Sequence, residues 1–290
     1  MNTKLFSAVF FSLFLSSAFA IPGFCAAAES APEIISLVRD AAALVEQKGE
    51  ASFAEFRKSG TKWLHDDTYI FVLGDKSELL NPVKPEMENT DVYQLKDADG
   101  KLFVRDYVDL ARQSPAGEAW GHFIWIEPAT GKSLWKAAFL KTAKMPAGEE
   151  VIVGSGIYAP KMEKEFIVDT VDNAVRLIEL KGRDAFAVFN DKTSQYQYQD
   201  TYVFVFDEDG LCLAHVNPSM VGSNILDLKD VSGKPLNKEM LEIVQKDGAG
   251  WIDYSWPKPG SKEPSRKSSY VKKAALDGKT LVVGAGIYLD

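Results

Sequence analysis

Gly248-Ala-Gly-Trp-Ile-Asp-Tyr-Ser-Trp-Pro257 decides the reading of the chain. The stretch alternates, so as a β-strand it puts Ile252, Tyr254 and Trp256 on one face and Trp251 on the other. Gly210-Leu-Cys-Leu-Ala-His-Val-Asn-Pro218 lies before it. Ser269-Tyr-Val-Lys272 and Val283-Gly-Ala-Gly-Ile-Tyr288 lie after it. All are short strand signals punctuated by Gly, Pro and Asp. In the strand that follows, Ser268, Tyr270 and Lys272 share a face. Aromatic rings with a hydroxyl, an ammonium and the imidazole of His215 form the set that a small anion requires.

Moving outward, the same pattern occurs earlier in the chain. Glu46 to Phe56 matches Glu179 to Phe189. Asp67-Thr-Tyr-Ile-Phe-Val72 matches Asp200-Thr-Tyr-Val-Phe-Val205, and Asn81-Pro82 matches Asn217-Pro218. Leu95-Lys-Asp-Ala-Asp-Gly-Lys101 matches Leu228-Lys-Asp-Val-Ser-Gly-Lys234. Trp120 and Trp125 match Trp251 and Trp256, and Val153 to Tyr158 matches Val283 to Tyr288. Near-constant spacing makes this an internal duplication. Each copy reads as a long helix followed by short strands in series, which predicts an α+β fold with antiparallel sheets. Ser30-Ala-Pro-Glu33 is a capping box for the first helix, whose apolar stripe includes Ile35, Val38, Leu44 and Val45. The predicted units are residues 30–159 and 160–290, divided near Ala159-Pro160.

Residues 1–28 read as a signal peptide. Lys4 is the only charge before Glu29, Leu5 to Ala20 is apolar, and Ala26-Ala-Ala28 offers a cleavage site, with Ala20 as the alternative. Phe24 before Cys25 argues against lipidation. Cleavage after Ala28 removes Lys4 and takes the net charge from −8 to −9. A chain so acidic, with no basic cluster, is not expected to bind nucleic acid or an anionic membrane surface. Cleavage also leaves Cys212 alone, most simply a buried small hydrophobe.

The order of motifs in the second copy resembles the Cache sensor domain, most of all its single-Cache type 2 form. Those motifs are the long helix, His-x-Asn-Pro-x-x-x-Gly (His215 to Gly222), Leu-Lys-Asp-x-x-Gly-Lys, Gly-x-Gly-Trp-x-x-Tyr-x-Trp-Pro, Ser-Tyr-Val-Lys and Val-Gly-x-Gly-Ile-Tyr. The first copy matches more loosely. The resemblance implies two PAS-like Cache modules, each a long N-terminal helix packed on an antiparallel β-sheet. It also implies a pocket over the sheet for small molecules, often short-chain carboxylates. Family members usually feed a kinase or methyl-accepting domain. Here the sequence stops at Asp290, two residues after the last motif, so an exported ligand-binding protein without output domain is the expectation.

The duplication acts as an internal control. By sequence matching, Tyr254 corresponds to Phe123, Tyr270 to Phe139 and His215 to Leu79, while Lys272 corresponds to Lys141. Packing alone would accept Phe and Leu in both copies, so the polar residues of the second copy point to a ligand. The expected binding set is Lys272 as cation, Tyr254, Tyr270 and His215 as donors, and Trp256 and Ile252 against a short apolar tail. The first copy should have a drier, smaller or more apolar pocket. No cofactor or metal is expected. The three histidines lack ligand spacing, and Asp97-x-Asp99-Gly100 and Asp207-x-Asp209-Gly210 read as turns, because position twelve is Val108 or Pro218 where a calcium loop has Glu. Gly154-Ser-Gly156 is no nucleophile elbow, and no nucleophile–base set supports an enzyme. The leading function is recognition of a small organic anion by the second copy. The alternative is a non-catalytic protein that docks on a membrane receptor or sensor kinase with a vestigial pocket.

Overall fold

The structure, a computed structural model, describes residues 30–289. The predicted signal peptide, with Cys25, lies outside the described residues. The chain opens with α1 (Ala31–Lys48) and the short α2 (Phe53–Phe56). Next come β1 (Leu64–His65), β2 (Thr68–Tyr69), β3 (Phe71–Leu73) and β4 (Glu78–Leu80), then α3 (Phe103–Gln113). The long strands β5 (Glu118–Ile126), β6 (Ser133–Lys144) and β7 (Glu150–Tyr158) follow. The series then repeats as α4 (Lys164–Lys181), α5 (Asp184–Asn190), β8 (Gln197–Tyr198), β9 (Thr201–Tyr202), β10 (Phe204–Asp207) and β11 (Cys212–Ala214). It ends with α6 (Leu236–Lys246), β12 (Ala249–Pro257), β13 (Pro264–Leu276) and β14 (Lys279–Tyr288).

Two five-stranded sheets result, in the orders β4-β3-β7-β6-β5 and β11-β10-β14-β13-β12. Every pairing within them is antiparallel, and the order is the same in both, as a duplicated sequence requires. The architecture is α+β with a tandem PAS-like arrangement. The long helices form where the periodic stripe placed them. Ser30 N–H and Oγ both donate to Glu33 Oε2, at 2.7 and 2.8 Å, which fixes the start of α1. At the far ends, Gly49 (φ 59°) and Gly182 (φ 58°) turn the chain out of α1 and α4 in the left-handed region where glycine is favoured.

Each sheet is covered on both faces. Helix α1 packs on β6 and β7, and α3 covers the opposite face of the first sheet at β5 and β6. Helix α4 packs on β13 and β14, and α6 covers the opposite face at β12 and β13. A core between α1 and the first sheet includes Ile34, Val38, Val45, Val72 and Trp120. A second core, between α6 and the second sheet, includes Phe204, Ile252, Tyr254 and Met240. The largest joins the α3 face of the first sheet to α4 and the second sheet. The halves also meet through polar contacts. Trp120 N–H donates to Asp169 Oδ2 on α4 at 3.1 Å, and His122 stacks on Tyr198 at 3.8 Å.

The repeated Leu-Lys-Asp-x-x-Gly-Lys motif is a turn with a reach. Asp97 Oδ1 accepts from Asp99 N–H and Lys101 N–H, and its Oδ2 accepts from Ile124 N–H of β5 at 3.0 Å. Asp230 does the same with Ser232, Lys234 and Ser255 of β12. The carboxylate therefore ties the incoming loop to the edge of the sheet. Asp207 likewise closes a turn by accepting from Asp209 and Leu211 N–H. Cys212 is buried on β11, and burial pushes its thiol up to about 11.

Candidate functional site

The register of the second sheet sorts the polar residues. Tyr254 stands directly opposite Lys267, and Trp251 directly opposite Tyr270. Residues directly opposite in a sheet project to the same face, and the face alternates along each strand. Lys267, Ser269 and Val271 therefore share the face of Ile252, Tyr254 and Trp256, which is covered by α6. Ser268, Tyr270 and Lys272 share the face of Trp251, which is covered by α4.

This corrects the expected convergence. Lys272 Nζ lies 2.8 Å from Asp172 Oδ1 of α4 and is partly exposed. Tyr270 packs against Trp251, ring centroids 5.5 Å apart, on the helix side. Neither meets Tyr254. The error is one residue of strand phase: periodicity separates the two faces of β13 but does not say which one looks away from α4.

Four expected residues do come together, on the α6 face. A cavity of ≈ 20 Å³ is lined by Tyr202, Phe204, His215, Met220, Tyr254 and Trp256, among others. That volume holds about one water-sized group. Ile252 is buried in the core beside it. The Tyr254 hydroxyl is 3.0 Å from Ser269 Oγ. His215 Nδ1 accepts from Asn217 N–H at 3.0 Å, which leaves the ring proton on Nε2 as a donor. Burial, with the nearby Lys267 ammonium adding to it, pushes His215 down to about 4, so the ring is neutral at pH 7. Its edge meets Tyr202 at 5.1 Å, and Trp256 stands 6.5 Å away. Tyr202, His215 and Trp256 also line a larger cleft of ≈ 600 Å³ with Lys101, Tyr198 and Lys258, so the small cavity adjoins a route from the junction of the two halves.

Lys267, the residue the sequence reading missed, is fully buried. Its Nζ has no hydrogen-bond partner among the described residues. It sits 3.9 Å from the Tyr202 ring centroid and 4.8 Å from that of Tyr288. Tyr288 is itself anchored, donating to Pro257 O at 2.6 Å. Burial pushes the Lys267 ammonium down to about 7. A signal for it was present in Gly286. A Cβ at that position would meet Ser269 Oγ at 2.2 Å, Ser268 O at 2.6 Å and Lys267 Cε at 2.9 Å. The glycine on β14 keeps open the path that the lysine stem follows.

The first sheet repeats this lysine. Lys136 is opposite Phe123 and Tyr158, as Lys267 is opposite Tyr254 and Tyr288. Its Nζ donates to Tyr69 OH at 2.9 Å and stands 4.0 Å from that ring. Gly156 clears its stem, as a Cβ there would meet Ala137 O at 2.4 Å and Lys136 Cε at 3.0 Å. The cavity beside it, ≈ 30 Å³, is not smaller than its counterpart and contains Glu78, Asn81 and Lys136. The expectation of a drier, smaller first pocket is therefore corrected. So is the matching of His215 to Leu79. Val72 pairs with Leu80 and Val205 with Ala214, which puts His215 in register with Asn81, while Leu79 packs toward α1.

A family model described as Cache domain matches residues 43–290. The chain belongs to the Cache domain family. Among curated proteins, its Cache sequence is 30% identical over 92 residues to the methyl-accepting chemotaxis protein McpP of Pseudomonas putida, covering 31% of this chain and 16% of that protein. It is 39% identical over 93 residues to the sensor histidine kinase MctS of Rhizobium johnstonii, covering 32% of this chain and 20% of that one. The matches thus span a fifth or less of these relatives. Among solved structures, a Cache chemosensory domain studied for its recognition of carboxylic acids is 28% identical, with a TM-score of 0.38, over 43% of this chain and 92% of that one. No helix among the described residues is long and apolar enough to cross a membrane, and no group of three or more His, Cys, Asp or Glu side chains there could hold a metal ion.

Proposed function

We propose that this is an extracytoplasmic sensor or solute-binding protein whose second Cache module, residues 160–290, recognises a small organic anion such as a short-chain carboxylate. The carrying observation is Lys267, a fully buried ammonium without a hydrogen-bond partner among the described residues, whose Nζ lies 3.9 Å from the ring centroid of Tyr202, which lines a cavity with Tyr254 and His215. An isolated buried cation costs several kcal/mol after relaxation, and ring faces offset only part of that. A carboxylate would supply the counter-charge and accept charge-assisted hydrogen bonds from Lys267, the Tyr254 hydroxyl and His215 Nε2–H. Because the cavity holds only about one water-sized group, Trp256 and Met220, which line it, would have to move aside to admit a short tail. The lysine replaces Lys272 as the proposed cation. Processing of residues 1–28, release to the periplasm or outside, and coupling to a receptor or kinase like those of the relatives belong to the same proposal.

Calorimetric titration with formate, acetate, propionate and butyrate, each beside its neutral amide, checks the reading. Carboxylates should bind and amides should not. Equal binding of acid and amide, or binding of amines instead, would leave Lys267 without the proposed role.

A further inference from the structure

Lys136 of β6 is a buried nucleophile that the reading of the second module leaves unused. Its Nζ donates to Tyr69 OH at 2.9 Å and to Tyr158 OH at 3.5 Å, and the two hydroxyls are 3.2 Å apart. Tyr158 OH in turn donates to Ile126 O at 3.0 Å. That contact fixes the direction of the chain. Tyr158 directs its proton to Ile126, so Tyr69 donates to Tyr158 and the Tyr69 oxygen receives an N–H from Lys136. The lone pair of a neutral Lys136 amine is then taken up by neither phenol. A carboxyl group faces the same space. Glu78 of β4 is buried, its Oε1 accepts from Asn81 Nδ2 at 2.8 Å, and it lines the ≈ 30 Å³ cavity together with Lys136. The second sheet lacks this acid. Its register puts Cys212 where Glu78 stands, and no Asp or Glu lines the cavity there among the described residues.

We propose that Lys136 is a reversible covalent site for one- and two-carbon aldehydes, captured as an iminium with Glu78 as the proton shuttle. Capture of a carbonyl needs a neutral amine and a proton donor for the departing oxygen. Burial supplies both near pH 7. It pushes Lys136 down to about 7, against the pull of Glu78, and Glu78 up to about 7, against Asn81 and Lys136. Nζ attacks the carbonyl carbon, the C–N bond forms, and the carbonyl oxygen takes the Glu78 proton. The added nitrogen returns a proton to the Glu78 carboxylate. Glu78 then protonates the new hydroxyl, the C–O bond breaks and water leaves. One amine, one carboxylic acid and one aldehyde thus become an iminium, a carboxylate and water, with no change of oxidation state. The product is a cation and an anion in one buried space, where each favours the charged form of the other. Size sets the substrate class. At roughly 10–15 Å³ per water-sized group, the ≈ 30 Å³ space holds about two heavy atoms, as formaldehyde has. Acetaldehyde requires Met87, partly exposed on the Pro85–Met87 turn, to shift. The rings of Phe103, Tyr107, Phe123 and Trp125 line the space and exclude larger aldehydes. This site does not depend on the reading of Lys267.

The test treats the full chain at pH 7 with limiting formaldehyde and cyanoborohydride, which reduces an iminium to a stable methylamine. Peptide mass mapping then reads the rate at each lysine. Exposed Lys273 supplies the background, and Lys267, also buried but with no acid in its cavity, is the comparator. Lys136 should be methylated at least tenfold faster than either. Glu78→Gln, whose amide oxygen can still accept from Asn81, should slow Lys136 at least tenfold and leave Lys267 within twofold of wild type. An unchanged Lys267 rate reports an intact fold. If both rates fall in that variant, it has unfolded, and the wild-type comparison decides alone. Benzaldehyde, measured against Lys273, should show no preference for Lys136. Labelling of Lys136 no faster than of Lys267 in wild type, or an unchanged Lys136 rate in folded Glu78→Gln, would overturn the proposal. A benzaldehyde preference equal to that of formaldehyde would overturn the size class.

Discussion

Lys267 is a lysine poised to change charge on meeting an anion. Alone, it titrates at about 7 because burial disfavours its charged form. A bound carboxylate favours that form and raises the value, so binding above pH 7 takes up a proton. The sign follows: affinity for propionate should be flat from about pH 6 to 7 and fall above it, by up to about tenfold per pH unit. His215, pushed down to about 4, stays neutral over this range and adds no slope. Titrations at pH 6, 7, 8 and 9 check this, and an affinity constant to pH 9 would be incompatible with it. The sequence alone did not single out this residue. Pro264-Ser-Arg-Lys-Ser-Ser269 reads as a polar strand end, and a lysine there looks solvated. Lys272 was the cation expected from the sequence, and the pairing of β12 with β13 tells the two apart.

At the scale of elements, the repeated Val-Gly-x-Gly-Ile-Tyr strand explains both lysines. Its first glycine, Gly154 or Gly284, lies under the ring of Phe71 or Phe204, whose Cζ would be 2.3 Å from a Cβ. Its second, Gly156 or Gly286, makes room for the stem of Lys136 or Lys267. Gly286→Ala should therefore destabilise the chain by about 1–3 kcal/mol, as overpacking does, and displace Lys267. Denaturant unfolding measures the first effect; a variant as stable as wild type would show that the strand can accommodate a methyl group. Ile252, Tyr254 and Trp256 were legible as one face because a two-residue period sorts a single strand, whereas His215 comes from the separate segment that follows β11. Tyr270 and Lys272 were not correctly placed, because which face of β13 meets α4 is a long-range fact. Loop lengths hid the match of His215 to Asn81, since the Asn-Pro dipeptide drew the alignment two residues away.

For the whole molecule, the duplication was the most legible feature. Motifs at near-constant spacing gave two sheets of one strand order, each with a long helix behind it. What the repeats did not reveal is how the copies diverged. Both keep a buried lysine under two tyrosines, yet the first adds Glu78 and the second His215 and Tyr254. The account therefore rests on which lysine meets the ligand of the second module. Titration of propionate into Lys267→Met and Lys272→Met, side by side with wild type, decides it. Lys267→Met should weaken binding by on the order of 2–5 kcal/mol, as for a lost partner of a buried charge, and Lys272→Met should bind within about twofold of wild type, because its partner Asp172 lies on the other face and partly exposed pairs contribute little. Wild-type affinity in Lys267→Met, or loss of binding confined to Lys272→Met, would contradict the account.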